Sequence, residues 1–182
     1  MTVHRFKLFL LIFLLGCTSL AANGCGYRNP YVPQGIAAEE TKTVFLAIWP
    51  NRTNELGLET EIYRNLVSWF NKLPNIRLTQ SKEEAAYLLT GEIRTINIPA
   101  LSYGQFDQAV EVNVILTVSY RLEEQANSAV LLERTDLRFT EAAQVGGDAV
   151  TTRTNKNKAL AIINDDLAEH VYLGTVNSLF PL

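Results

Sequence analysis

Between residues 110 and 122 the chain alternates over thirteen positions. Val110, Val112, Val114, Leu116, Val118, Tyr120 and Leu122 are apolar, while Glu111, Asn113, Thr117, Ser119 and Arg121 stand between them. Strand side chains point to opposite faces in turn, so a period of two held this long predicts a strand with one buried and one wetter face. In a helix the same residues would spread around the whole cylinder. After the polar turn Glu123 to Ser128 the chain returns through Val130 to Ala143, the natural antiparallel partner. On that partner Leu132, Arg134, Asp136, Arg138 and Thr140 are expected on one face, opposite Leu131, Thr135, Leu137 and Phe139.

Upstream, Thr43 to Trp49 is a continuous apolar run, short for a helix and suited to a buried central strand that Pro50 ends. Asn54 is placed to cap a helix over Glu55 to Leu73, in which Leu58, Ile62, Leu66, Phe70 and Leu73 recur at helical spacing and Val67 and Trp69 widen the apolar face. Pro74 stops it. Ile76 to Thr79 alternates as a short strand, and Tyr87 to Ile98 as a longer one. Pro99 to Gln105 is expected to turn the chain. A second amphipathic helix is predicted within Thr152 to Phe180, with Leu160, Ile163, Leu167, Val171 and Gly174 in one stripe. The economical packing of these elements is an α/β (α+β) two-layer sandwich, with two helices on one face of a four-stranded mixed sheet. The other sheet face is then open to water or to a partner.

The N-terminus sets the compartment. Arg5 and Lys7 precede an apolar run from Leu8 to Leu15, followed by small residues and a cysteine, the pattern of a secretory signal. That run is shorter than the roughly 20 residues a spanning helix needs. A cysteine at such a junction predicts a bacterial lipoprotein, acylated on the new N-terminal cysteine. Two or three acyl chains, at about 0.8 kcal/mol per buried CH2, hold a protein on a bilayer. Cys25 is the favoured site and Cys17 the alternative: Leu14-Leu15-Gly16-Cys17 has the expected Leu but a short apolar region, whereas Ala22-Asn23-Gly24-Cys25 has the more usual length. Neither cysteine is followed by Asp. By resemblance to sorted lipoproteins, that favours the outer membrane, facing the periplasm. The expected division is a signal at 1–24, a lipidated tether at 25–40 and one domain at 41–182.

Loss of Arg5 and Lys7 with the signal leaves 14 basic against 19 acidic side chains, a formal −5. A mildly acidic chain argues against a nucleic-acid partner. With Cys25 acylated and Cys17 removed no thiol remains, and His170 is the single mature histidine. No cofactor or metal is expected, since one His cannot supply three protein ligands to zinc. His170, among Leu167, Val171 and Leu173, reads as a half-buried structural residue. Gly146-Gly147-Asp148 lacks the Gly-Lys-Ser/Thr of a phosphate loop and reads as a turn. The pairs Glu83-Glu84, Glu123-Glu124 and Asp165-Asp166 read as solvated charge, and no catalytic residue is assigned. Arg121, Arg134 and Arg138 form the one basic group of interest. Brought together across a hairpin, they would grip lipid phosphates bidentately. Cross-strand pairing with Glu111, Glu133 or Asp136 is the alternative.

Gly24-Cys25-Gly26-Tyr27-Arg28 at the junction, then Val44-Phe45-Leu46-Ala47-Ile48, resembles the lipopolysaccharide-assembly lipoproteins of the LptE family. Gly57-Leu58-Glu59 opening the first helix, Ala85 to Ile93, and Tyr120-Arg121-Leu122 extend the likeness over the mature chain. Asn23 departs from the family's junction. The resemblance implies a non-enzymatic, lipid-anchored outer-membrane protein that partners the LptD β-barrel, assists its assembly, plugs its lumen and binds lipopolysaccharide. It assigns no lipid-contacting residue, so Arg121, Arg134 and Arg138 rest on facing alone. The alternative is a lipoprotein that regulates a cell-wall synthase or serves a lipid transporter as an auxiliary subunit.

Overall fold

A computed structural model describes residues 41–181. The signal, the tether and both cysteines therefore lie outside the described residues. The elements run β1 (Lys42–Leu46), α1 (Leu58–Phe70), β2 (Ile76–Thr79), β3 (Tyr87–Asn97), β4 (Ala100–Tyr103), β5 (Ala109–Glu124), β6 (Ala129–Gln144) and α2 (Ala149–Leu179). Two helices and a mixed sheet are present as expected, but the sheet has six strands and not four. Two of the six are four-residue pieces, β2, which was expected as a short strand, and β4, which was not. β2 lies parallel to β1 at one edge. β4 forms where Pro99 interrupts β3 and the chain resumes pairing with the N-terminal half of β5, in the segment expected to turn.

β1 is parallel to β3, whereas β3 and β6 flank β5 antiparallel. The register sets Leu46 beside Leu89, Leu89 beside Leu122, and Leu122 beside Leu132, and all four are buried. That row crosses four strands and marks the face covered by the helices. Gly174 of α2 lies against Tyr120 and Leu132 of this face. On α1, Leu58, Ile62, Leu66, Trp69 and Phe70 are buried, the stripe that the 3.6 period demands. Each such burial contributes about 1.5–3 kcal/mol. Phe70 and Trp69 meet Tyr172 of α2, with ring centroids 5.7 and 5.8 Å apart.

Helix starts differ from the expected ones for local reasons. α1 begins at Leu58 because Asn51, and not Asn54, organises the preceding loop. Its Oδ1 accepts from the backbone N–H and hydroxyl of Thr53, and its Nδ2 donates to Glu55 O and Glu59 Oε2. The N-cap is Gly57, at a φ of 83° that favours glycine. α2 begins earlier than Thr152, because Asp148 caps it by accepting from Val150 and Thr151 N–H. Gly146-Gly147-Asp148 is thus a strand-to-helix turn.

Candidate functional site: the open face of the sheet

Odd-numbered residues of β5 project from the face away from the helices. The neighbours of Thr117 and Arg121 in the register are Thr95 and Thr90 on β3, and Arg138 and Glu133 on β6. Two ion pairs bind this surface together. Arg52 Nε donates to Glu92 Oε1 at 2.8 Å, and Arg94 Nη1 reaches from β3 over β5 to Asp136 Oδ1 at 2.6 Å. Both are exposed and contribute on the order of 0–1 kcal/mol each. Their effect is to hold side chains of three segments in place, the loop after β1, β3 and β6.

Asp136 carries the main irregularity. Its φ is 53°, and the register steps from Val118–Leu137 to Tyr120–Arg134, so Ser119 faces two residues of β6. This is a β-bulge, closed by Asp136 N–H donating to Ser119 Oγ at 3.1 Å. One extra residue reverses the phase of the stretch beyond it, as far as a second register shift at Leu131. Arg134 therefore pairs with Tyr120 in the helix-side phase, while Arg138 pairs with Thr117 on the open face. The expected shared face of Arg134 and Arg138 does not exist.

The structure does bring Arg121 and Arg134 to one place. Both line a shallow depression of about 280 Å³ at the bulge, with Thr90, Ser119 and Glu133. Arg121 Nε is 3.1 Å from Glu123 Oε1, and Arg134 Nη1 donates to the carbonyl of Glu133 at 2.9 Å. Arg138 is outside that depression and has no hydrogen-bond or ion-pair partner among the described residues. Of the carboxylates offered as cross-strand partners, Glu111 accepts from Gln144 and Asp136 takes Arg94, while Glu133 stands beside Arg121 in the register. The arrangement is a polar platform with exposed guanidiniums, suited to contacting anionic groups.

The remaining candidates have structural partners. Asp165 accepts from Trp69 Nε1, Glu83 from Ser81, and Glu124 from Asn127. The Ser81 hydroxyl holds the Glu83 carboxyl below its ordinary range. His170 is exposed where half-burial was expected, though its ring still packs edge-on against Tyr120 and Phe139. No three His, Cys, Asp or Glu side chains gather as a metal site among the described residues. Sequence reasoning missed the bulge, although Leu132 and the pair Leu137 and Phe139 differ in parity. That is the trace an inserted residue leaves.

Comparison with known proteins agrees with this architecture. The family described as LptE, lipopolysaccharide-assembly, matches residues 41–173. No curated protein matches the chain in sequence. A minor lipoprotein from Acinetobacter baumannii superposes with a TM-score of 0.50 at 22% identity, covering 76% of this chain and 91% of the other. The rare lipoprotein B from Shewanella oneidensis does so at 0.55 and 11%, covering 76% and 96%. An uncharacterized lipoprotein B from Nitrosomonas europaea gives 0.53 and 14%, covering 81% and 92%. At these identities the structures share the fold.

Proposed function

The chain belongs to the LptE lipopolysaccharide-assembly family, and on that premise we propose that it is a lipid-anchored partner of an LptD-type β-barrel in the outer membrane. The family is one of non-enzymatic outer-membrane lipoproteins. In the proposed role the sandwich faces the periplasm, plugs the barrel and handles lipopolysaccharide on its way to the cell surface. The observation that carries this reading is the family match over residues 41–173, nearly the whole described domain. The signal at 1–24, acylation of Cys25 (or of Cys17) and the tether at 25–40 belong to the same proposal. They supply the anchor that a domain without an apolar spanning helix among its described residues requires.

Lipopolysaccharide contact is assigned to the open sheet face. Arg121 and Arg138 project from it, and Arg134 stands at the bulge. Guanidiniums grip phosphate in two-pronged hydrogen bonds, which makes these residues the choice for a phosphorylated lipid. The test is a photo-cross-linker placed at Asn113 or Arg138 in the full chain, in cells solubilised with mild detergent. Capture of an outer-membrane barrel and of lipopolysaccharide is expected. Capture of a cell-wall synthase or an ABC complex, with no barrel, would overturn the assignment.

A further inference from the structure

A cleft of the described domain lies on the helical layer, between the start of α1 and the first half of α2. It has a volume of about 780 Å³, within the roughly 300–1,000 Å³ typical of small-molecule sites. Two of its charges neutralise each other: Lys156 Nζ lies 2.5 Å from Glu55 Oε1. Two others do not. Arg64 of α1 and Arg153 of α2 line the cleft, are exposed, and have no ion-pair partner among the described residues.

The floor is stranger. Asn164 is 1% exposed and sits in the apolar stripe of α2, between Leu160 and Leu167. Its Nδ2 makes a long bond of 3.4 Å to Glu61 Oε2, and its Oδ1 has no partner among the described residues. Exchanging the two amide atoms would set oxygen against carboxylate, so the unpaired acceptor is not a matter of orientation. A buried acceptor without a donor is costly, and it invites a donor from outside the chain. Asn65 and Asn157 add further carboxamides to the walls, and Leu58 and Leu160 add apolar surface.

Two free guanidiniums, several carboxamides and a small apolar patch describe one chemical class. We propose that this cleft binds an anionic saccharide, phosphorylated or carboxylated. Arg64 and Arg153 take its charge, and Asn164 lies beneath its hydroxyls. Carboxamides both donate and accept, which matches vicinal hydroxyls, and the leucines suit the C–H face of a sugar ring. An acidic peptide would also use the guanidiniums and could offer its backbone amides to the carboxamides, so hexaglutamate is the control that separates it from a saccharide. The site is separate from the open sheet face, and the proposal does not depend on the barrel partnership.

The experiment is titration of the full chain, in nonionic detergent, with glucose 6-phosphate and with galacturonate. Calorimetry and the side-chain amide resonances of Asn164 are the readouts. Saturable binding that moves the Asn164 amide is expected, weakened about tenfold or more in the Arg64→Ala/Arg153→Ala double variant. Both substitutions are on exposed side chains, and an unchanged melting temperature certifies the fold. Glucose alone and inorganic phosphate alone should bind at least about tenfold more weakly. Purified lipopolysaccharide identifies the source: displacement of the sugar points to a lipid headgroup, no displacement to a free glycan, and either supports the site. Absence of saturable binding, an unaffected double variant, or equal affinity for phosphate alone or for hexaglutamate would overturn the proposal.

Discussion

The indole of Trp49 lies nearly parallel to the ring of Tyr120, with centroids 6.0 Å apart and 10° between the planes. Both side chains are buried, and Gly91 supplies the room. A Cβ at that position would sit 2.5 Å from Trp49 Cε2 and 2.8 Å from the backbone carbonyl oxygen of Ser119. Neither neighbour is the loose end of a flexible side chain. Gly91→Ala is expected to cost about 1–3 kcal/mol, seen as a lower denaturation midpoint at constant m. Adding Trp49→Leu should give less than the sum of the two single losses. Strict additivity would separate the glycine from the indole.

Tyr120 makes a second prediction. Its hydroxyl is buried without a partner, and burial pushes its pKa above the ordinary value of 10.0, with the charge of Arg134 pulling the other way. The folded chain keeps a proton that the unfolded chain releases. The associated stability is therefore whole below pH 10 and is lost as pH rises through the folded pKa. Tyr120→Phe should be neutral or stabilising near pH 7 and should reduce the alkaline loss, measured by urea melts on both sides of pH 10. Tyr172, also raised by burial, keeps the rest of that loss in the variant.

The two helices are joined by Trp69 Nε1 donating to Asp165 Oδ1 at 2.8 Å. Trp69→Phe keeps a ring beneath Lys72 Nζ, which lies 3.1 Å from the ring centroid, and removes the donor together with part of the buried ring. A double-mutant cycle of Trp69→Phe with Asp165→Ala should return a coupling of about 1 kcal/mol. No coupling would mean that this hydrogen bond contributes nothing to the docking of α1 on α2.

Asp148 governs the entry to α2. Hydrogen bonds from the backbone and hydroxyl of Thr151 and the backbone of Val150 hold its carboxyl below the ordinary value of 3.8. Its contribution is present above the unfolded pKa and is lost as pH falls through the folded one. Asp148→Ala should lower the melting temperature at pH 7 and remove part of the acid-induced loss. Asp148→Asn should preserve most of the cap at neutral pH.

Processing can be read by mass spectrometry of protein from intact cells. With Cys25 as the anchor, Cys25→Ala yields an unacylated chain, whereas Cys17→Ala leaves acylation intact. The reverse pair of outcomes moves the anchor to Cys17.

Much of this architecture is legible in the amino-acid order, and the exceptions have physical causes. β5 announces itself because seven alternating apolar residues must share a face, and α1 because Leu58, Ile62, Leu66 and Phe70 follow a helical period. β4 carries no such mark: Ala100-Leu101-Ser102-Tyr103 is too short for a pattern, and only the free edge of β5 makes it a strand. The facing of Arg134 relative to Arg138 fails for a different reason. The register steps at Asp136 and again at Leu131, so each stretch between is short and the inserted residue at Asp136 is visible only by comparing the parity of Leu132 with that of Phe139. The cleft beside Asn164 depends on how two distant helices meet, although a lone amide in an apolar stripe is a readable sign of it.

The kink at Asp136 also bears on what the outer border of β6 can do. Sixteen residues of that strand meet no other strand on their far side among the described residues, enough backbone to seed stacking of one molecule on the next. A straight visitor cannot follow it: a strand in step with the first half falls out of step after the inserted residue. Deleting the inserted residue would restore a continuous border for such stacking, while turning Leu132 away from the face that the helices cover.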